Sequence, residues 1–294
     1  MKNFTLVIGC TIAAVLSSPC LAQKPTQNIS PVLLDTKDGE GTTLGLQFEY
    51  SGNRKFTRSN EAPAPSNESS SAPGETPPVE VFEDMDTLRY FGLAMKYKIA
   101  GTVTAEEENN PENLIDAFID LKYKFSNPDA LGTIAGGVVL KYEADQSFEN
   151  QQWIYGLGVT YGKMGILAET DFFGIDARRG QVDPSEDKAR QTALGTTSLD
   201  AYYRNELEIL YIYPIAETIP FLGKMANSFE FNYRYYEETG APAAVEDARL
   251  DKFFLRTFRL NLEHDLFIAY SKGKLPFDVT EDEFFTLGFS YDLN

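Results

Sequence analysis

Apolar and polar residues alternate with a period of two along most of this chain. From Thr43 to Tyr50 every even position is apolar or aromatic. Phe91, Leu93, Met95, Tyr97 and Ile99 share one face of a second segment, with Gly92, Ala94, Lys96 and Lys98 between them. Ile115 to Phe125 sets odd apolar positions against Asp116, Asp120, Lys122 and Lys124. Ile134 to Glu143 and Trp153 to Tyr161 repeat the pattern, the latter with Gly156, Gly158, Thr160 and Gly162 on its small face. A less regular strand covers about Met164–Ile175. Leu199–Tyr213 carries Arg204, Glu206 and Glu208 on one face, and Phe229–Tyr235 opposes aromatics to Glu230, Asn232 and Arg234. Lys252–Leu262, Leu266–Ser271 and Phe285–Leu293 complete the series. This periodicity predicts β-strands with one apolar and one polar face.

These strands are long. Ordinary strands average about 5–6 residues, whereas a membrane-spanning strand takes about 9–11. Tyr203 and Tyr213 share a face, and their ten-residue separation spans roughly 25 Å of membrane at a tilt of about 40°. That is the height of an apolar band between two aromatic girdles. Short connections (Ser126–Leu131, Gly162–Lys163, Glu263–Asp265) alternate with long polar ones (Gly101–Asn113, Asp145–Gln151, Arg178–Thr197, Glu237–Arg249, Lys272–Glu283). Pro214–Asn227 breaks the alternation, and Phe221-Leu222 suggests an interfacial helical turn there. The expectation is an all-β, antiparallel up-and-down transmembrane β-barrel with short periplasmic turns and long outer loops.

The ends of the chain add to this. Met1–Ala22 reads as a secretory signal peptide, with Lys2 in its basic region and Phe4–Leu16 as its apolar core. Both cysteines, Cys10 and Cys20, lie within it, which leaves no disulfide or thiolate chemistry downstream. At the other end Thr286, Gly288, Tyr291 and Leu293 have the spacing of the assembly signal on the last strand of barrel proteins, although the chain ends on Leu293-Asn294 rather than an aromatic. On these features the chain resembles a Gram-negative outer-membrane β-barrel protein of small, porin-like type. The resemblance implies an outer-membrane location and recognition of the last strand by the barrel-assembly machinery.

Eleven strands are clear by pattern, and single-chain bacterial barrels have an even number. A twelfth is expected before Asp86, at Pro78–Met85 by preference or at Ile29–Asp35 otherwise. The domain reading is then a signal peptide at 1–22, an N-terminal segment at 23–41 and a barrel at 42–294. A Pro/Ser-rich loop at about 53–77 is expected on the cell exterior.

Composition narrows the function. The chain has 26 Lys+Arg against 44 Asp+Glu, a formal charge of −18, which excludes a nucleic-acid phosphate backbone as partner. Acid runs such as Glu106-Glu107-Glu108 fall in the loops, beside expected lipopolysaccharide and other outer-membrane lipids. The only histidine, His264, sits in a short turn and carries no catalytic expectation. The glycines around Gly156 lack dinucleotide-binding spacing, and no cofactor, metal or catalytic set is expected. Pore-lining candidates are Lys96, Lys98, Asp116, Asp120, Lys122, Lys141, Glu143, Arg204, Glu206, Glu208, Glu230 and Arg234. Their mixed signs suit a narrow channel for small hydrophilic solutes or a closed salt-bridge network. The alternatives to a channel are a sealed structural or adhesive barrel displaying acidic loops, and an outer-membrane lipid hydrolase.

Overall fold

A computed structural model describes residues 25–36, 41–56, 90–105, 110–127, 132–219, 221–278 and 280–293. Met1–Ala22 and the Pro/Ser-rich stretch from residue 57 lie outside the described residues. Twelve strands form one antiparallel sheet in chain order: β1 Thr26–Thr36, β2 Gly41–Lys55, β3 Tyr90–Thr104, β4 Ile115–Asn127, β5 Gly132–Ala144 and β6 Gln151–Met164. They continue as β7 Phe172–Glu186, β8 Tyr202–Pro214, β9 Ala226–Thr239, β10 Lys252–Leu262, β11 Leu266–Lys274 and β12 Asp282–Phe289. β12 resumes past Ser290 as Tyr291–Asp292, and both of its parts pair with β1. The sheet therefore closes on itself.

The strand before Asp86 is β1, so Thr26–Thr36 belongs to the barrel and not to a segment ahead of it. Pro78–Met85 lies outside the described residues. β1 is the Ile29–Asp35 alternative lengthened at both ends; its alternation is weak because apolar residues stand on both faces, with Val32 and Leu34 buried while Leu33 is exposed. Pro31 is a further deterrent, since it lacks a donor for the ladder. It lies between the pairs Val32↔Gly288 and Ile29↔Tyr291, which keep one register on either side of it.

Among the described residues, three small helices sit in the connections: α1 Lys188–Leu194, α2 Ile215–Thr218 and α3 Ala243–Asp247. α2 and a 3-10 turn at Leu222–Lys224 fill the expected interfacial stretch after β8. The two termini, this stretch, and the turns after β4, β6 and β10 gather at one end, the periplasmic end by the asymmetry of barrels. β2 ends and β3 begins at that same end, so the long insert leaves and re-joins the barrel on the periplasmic side, the reverse of the exterior placement preferred above. Asn53–Lys55 are part of β2 and not of the loop.

Two other boundaries move. β6 runs through Gly162-Lys163 to Met164, and the turn is 165–171. β7 extends to Glu186, so Arg178–Glu186 is strand and not loop. Its outward positions Arg179, Gln181 and Asp183 are polar, which hides the alternation, but it pairs with β6 as far as Glu186 and with β8 as far as Val182. An apolar band runs around the outer wall: Leu44, Phe91, Tyr123, Val138, Trp153, Leu157, Ile268 and Phe285 are all exposed. Tyr203 and Tyr213 stand on the outward phase of β8, and Asn205 between them donates to Thr239 Oγ1 at 3.3 Å.

Strand tilt brings neighbouring backbones close at inward glycines. A Cβ on Gly156 would lie 2.4 Å from the Arg179 carbonyl oxygen and 2.7 Å from Gly180 Cα, atoms that cannot give way. On outward Gly136 it would meet nothing closer than 3.8 Å. Gly156→Ala is therefore expected to cost about 1–3 kcal/mol and Gly136→Ala close to nothing. The urea midpoint of the folded, heat-modifiable gel band checks both.

Candidate functional site: the lumen

Long charged side chains on the inward faces of β4, β5, β7 and β8 meet across the barrel. Lys122 Nζ lies 3.0 Å from Asp120 and 3.4 Å from Asp176 and donates to Thr160 Oγ1 at 2.7 Å. Arg178 lies 3.0 Å from Asp176, 3.8 Å from Asp120 and 4.0 Å from Glu206. Lys141 Nζ lies 2.7 Å from Glu143, 3.2 Å from Glu206 and 3.5 Å from Asp116. Arg204 Nη1 completes the chain at 2.8 Å from Glu143. Four cations and five carboxylates thus form one connected network. It reaches from β4 to β8 over the glycines of β6. A Cβ on Gly158 would come within 3.3 Å of both Lys122 Cε and Arg178 Cγ. The small face of β6 is the floor on which those side chains lie.

Neutral groups hydrogen-bond to the outer end of the network. Gln152 Nε2 donates to Glu143 Oε2 at 2.5 Å, Tyr202 donates to Gln152 Oε1 at 3.1 Å, and Arg204 Nη2 donates to the Tyr202 hydroxyl at 2.9 Å. Above this, Arg190 of α1 pairs with Glu238 at 2.5 Å and stacks 4.0 Å from the Tyr202 ring. Asp187 caps α1 by accepting from the Arg190 N–H at 2.9 Å.

The opposite wall is filled differently. Inward Val32, Leu34, Phe253, Leu255, Phe267 and Phe284 form an apolar cluster inside the barrel. Leu114, Val245, Leu250 and Leu275 join it from the outer loops, with Ala189, Ala193 and Leu194 of α1 against it. The lumen is therefore part salt-bridge network and part apolar filling, the latter reaching from Phe267 near the periplasmic turn up to the outer loops. The sequence suggested only the first, because the inward residues of β10–β12 and β1 are as apolar as the outward ones.

Toward the periplasm the lumen is wetter. Lys98 pairs with Glu49 at 2.5 Å, and Arg234 with Glu208 at 3.5 Å. The Arg234 and Glu208 side chains are 38% and 35% exposed, against 2% for Arg204 and 0% for Glu143. Asn232 donates to Glu208 at 2.8 Å, Lys96 lies over the Phe118 ring at 5.6 Å, and Glu230 stands opposite Arg259 in register. Glu112, from the β3–β4 connection, accepts from Gln47 and Thr102 inside the barrel.

All twelve candidate lining residues fall on inward strand phases. Seven cluster in the dry network (Asp116, Asp120, Lys122, Lys141, Glu143, Arg204, Glu206) and five border the wetter part (Lys96, Lys98, Glu208, Glu230, Arg234). Pattern reading missed Asp176 and Arg178, the link between the two halves of the network. Their signal was present as Asp176-Ala177-Arg178-Arg179-Gly180, a small-and-charged inward face, but the polar outward residues masked it. Glu49 and Arg259 were likewise passed over within recognised strands. His264 lies exposed in the β10–β11 turn with φ +62°, remote from the network.

A closed antiparallel wall, apolar outside and charged within, fits one setting. The fold is that of an outer-membrane β-barrel. No protein-family model and no curated protein sequence matches the chain. Among solved structures it is similar to the NanC porin (9% identity, TM-score 0.47, covering 91% of this chain and 100% of that one). It is also similar to the outer-membrane channel DcaP of Acinetobacter baumannii (9%, 0.40, 92% and 95%) and to a BenF-like porin from Pseudomonas fluorescens Pf-5 (11%, 0.35, 93% and 98%). These likenesses, all with TM-scores below 0.5, assign no role to any lumen residue.

Breaking one member of a buried ion network strands its partner, at about 3–5 kcal/mol. Arg204→Met is expected to lose stability in that range. Pairing it with Glu143→Gln should recover most of the loss, because the stranded carboxylate is then gone. A double-mutant cycle on unfolding midpoints measures this; additive losses would contradict the coupling.

Proposed function

We propose that this chain is an outer-membrane channel for small hydrophilic solutes, closed at its extracellular end in the conformation described. The observation that carries the reading is the contrast within the charged side of the lumen: Arg204 and Glu143 are dry, whereas Arg234 and Glu208, nearer the periplasm along β8 and β9, are more than a third exposed. Burying ions costs several kcal/mol each, so a barrel with only a structural task gains little by filling its interior with them. Facing charges of both signs set a transverse field suited to small polar or zwitterionic solutes. The closing elements are loop-borne: α1 held by Arg190, α3 by Val245, and the β11–β12 connection by Leu275. Loops of this kind can move without disturbing the wall.

A second reading, a sealed structural or adhesive barrel, draws on the dryness of the network from Lys141 to Arg204. A lipid hydrolase has less support, since His264 lies in a periplasmic turn without a nucleophile network around it. The barrel-assembly machinery remains the proposed partner of the last strand, whose Thr286 and Gly288 face inward while Tyr291 faces out.

Planar-bilayer recording separates these readings. The native chain is expected to give small conductance steps, and Arg190→Ala to raise the open fraction by releasing α1 from Glu238 and Tyr202. Silence of both proteins over several preparations would remove the channel reading.

The loop closure should also respond to pH. Burial and the neighbouring Asp282 push the Asp278 carboxyl up to about 8. It accepts a hydrogen bond from the Leu275 N–H at 2.7 Å. A raised folded-state value means that its stabilising contribution is complete below the ordinary carboxylate range and is lost as pH rises through about 8. Hydrogen exchange over residues 275–278 is expected to speed up between about pH 5 and about pH 8 beyond the intrinsic rate. Asp278→Asn should abolish that excess.

A further inference from the structure

The wall of the barrel is uneven. Strands β2 to β9 have 13–15 residues, whereas β10, β11 and β12 have 11, 9 and 8. On this low side the outward face changes character below the rim. Phe258, Leu266, Ile268, Tyr270, Phe285 and Leu287 form the apolar part toward the periplasm. Above them the outward positions of β10 and β11 include Lys252, Arg256, Lys272 and Lys274. Carboxylates answer two of these: Lys252 lies 3.4 Å from Glu237, and Lys272 lies 3.3 Å from Glu283. Lys274 donates to the Arg249 carbonyl at the rim. Arg256 is exposed and has no carboxylate at ion-pair distance among the described residues. Its register partner on β11 is Lys272, so two cations stand side by side on the lipid-facing wall.

That arrangement needs an anion. Like charges directly opposite on a sheet repel. Arg256 lies four residues inside β10, roughly 10 Å below the rim at about 3.3 Å per residue and a tilt of about 40°. Outward Phe258 and Tyr270 follow directly below it, so Arg256 stands at the upper border of the apolar band, where an unpaired cation on the wall of a barrel is costly. A guanidinium binds phosphate through two parallel hydrogen bonds. Tyr233, the other register partner of Arg256, adds a hydroxyl-bearing ring beside it. A second copy of the chain docked about a two-fold axis would bring cations against cations, so the charge favours lipid over self-association.

We propose that Arg256 and Lys272 form an external binding site for a phosphorylated lipid headgroup of the outer leaflet. The site rests on the membrane orientation argued above but not on conduction. This locates the contact with the anionic leaflet on the outer wall, on the low side of the barrel, and separates it from the acidic loops.

The test uses the full chain in phosphatidylcholine nanodiscs with and without lipid A. Native mass spectrometry counts lipid A retained on the protein, and the heat-modifiable band gives the unfolding midpoint. The native chain is expected to retain lipid A and to unfold at higher temperature in its presence. Arg256→Leu is expected to weaken retention roughly tenfold, the loss of one charge-assisted contact. The same variant should unfold later than the native chain in pure phosphatidylcholine, because it removes a lipid-facing charge. Arg256→Lys should retain an intermediate amount and stands in should the leucine variant not fold. Equal retention by native and variant chains would overturn the proposal. So would a dimer mass that Arg256→Leu dissolves, since the patch would then be an interface between copies.

Discussion

Everything in this molecule depends on closing the sheet. Within a bilayer no water reaches an unpaired backbone amide, so a sheet can stand there only if its first and last strands meet. Here β1 and β12 meet through two stretches of pairing that share one register on either side of Ser290. Pro31 lies between the two stretches. Past them the Leu293 N–H donates to the Gln27 carbonyl and continues the seam to the start of the first strand. The Ser290 N–H is met in turn by the Asp265 carbonyl.

Closure creates a lumen that twelve strands do not leave empty. One side is filled by charge and the other by hydrocarbon, and each filling has its own support. The charged side needs long side chains to cross from β4 to β8, which is possible because β6 presents glycine and threonine between them. Its ions are held dry at the outer end and hydrated toward the periplasm, so the desolvation cost is concentrated where hydrogen bonds from Gln152 and Tyr202 offset it. The apolar side borrows residues from the outer loops, so the plug and the barrel share one core. Any opening of the extracellular end must break this loop packing together with the Arg190–Glu238 pair, and the strand ladders can stay intact.

The net charge of −18 divides along the same lines. Lumen charges of the dry network are nearly balanced, and the acid excess includes loop residues such as Asp187, Glu246 and Asp247. Cations gather on the outer wall of β10 and β11. A single global figure therefore hides three electrostatic environments: a paired interior, acidic loops and a basic strip facing lipid.

The alternation of residues determined by itself that this chain forms long antiparallel strands with an apolar outside, and which phase of each strand turns inward. It did so because side-chain direction in a strand follows from the backbone alone. The inward phase of the twelve candidate residues was legible for that reason. β1 was legible only as one of two candidates, since it has apolar residues on both faces, and the second half of β7 was not, since it has polar residues on both; pairing with their neighbours identifies them as wall. That the insert between β2 and β3 opens on the periplasmic side, that Arg178 links two groups of ion pairs, and that half the lumen is packed with phenylalanine and leucine were decided by tertiary structure. Strand order and closure bring together residues far apart in sequence, such as Val32 and Phe284, and no local pattern encodes which side chain will lie across a lumen from which.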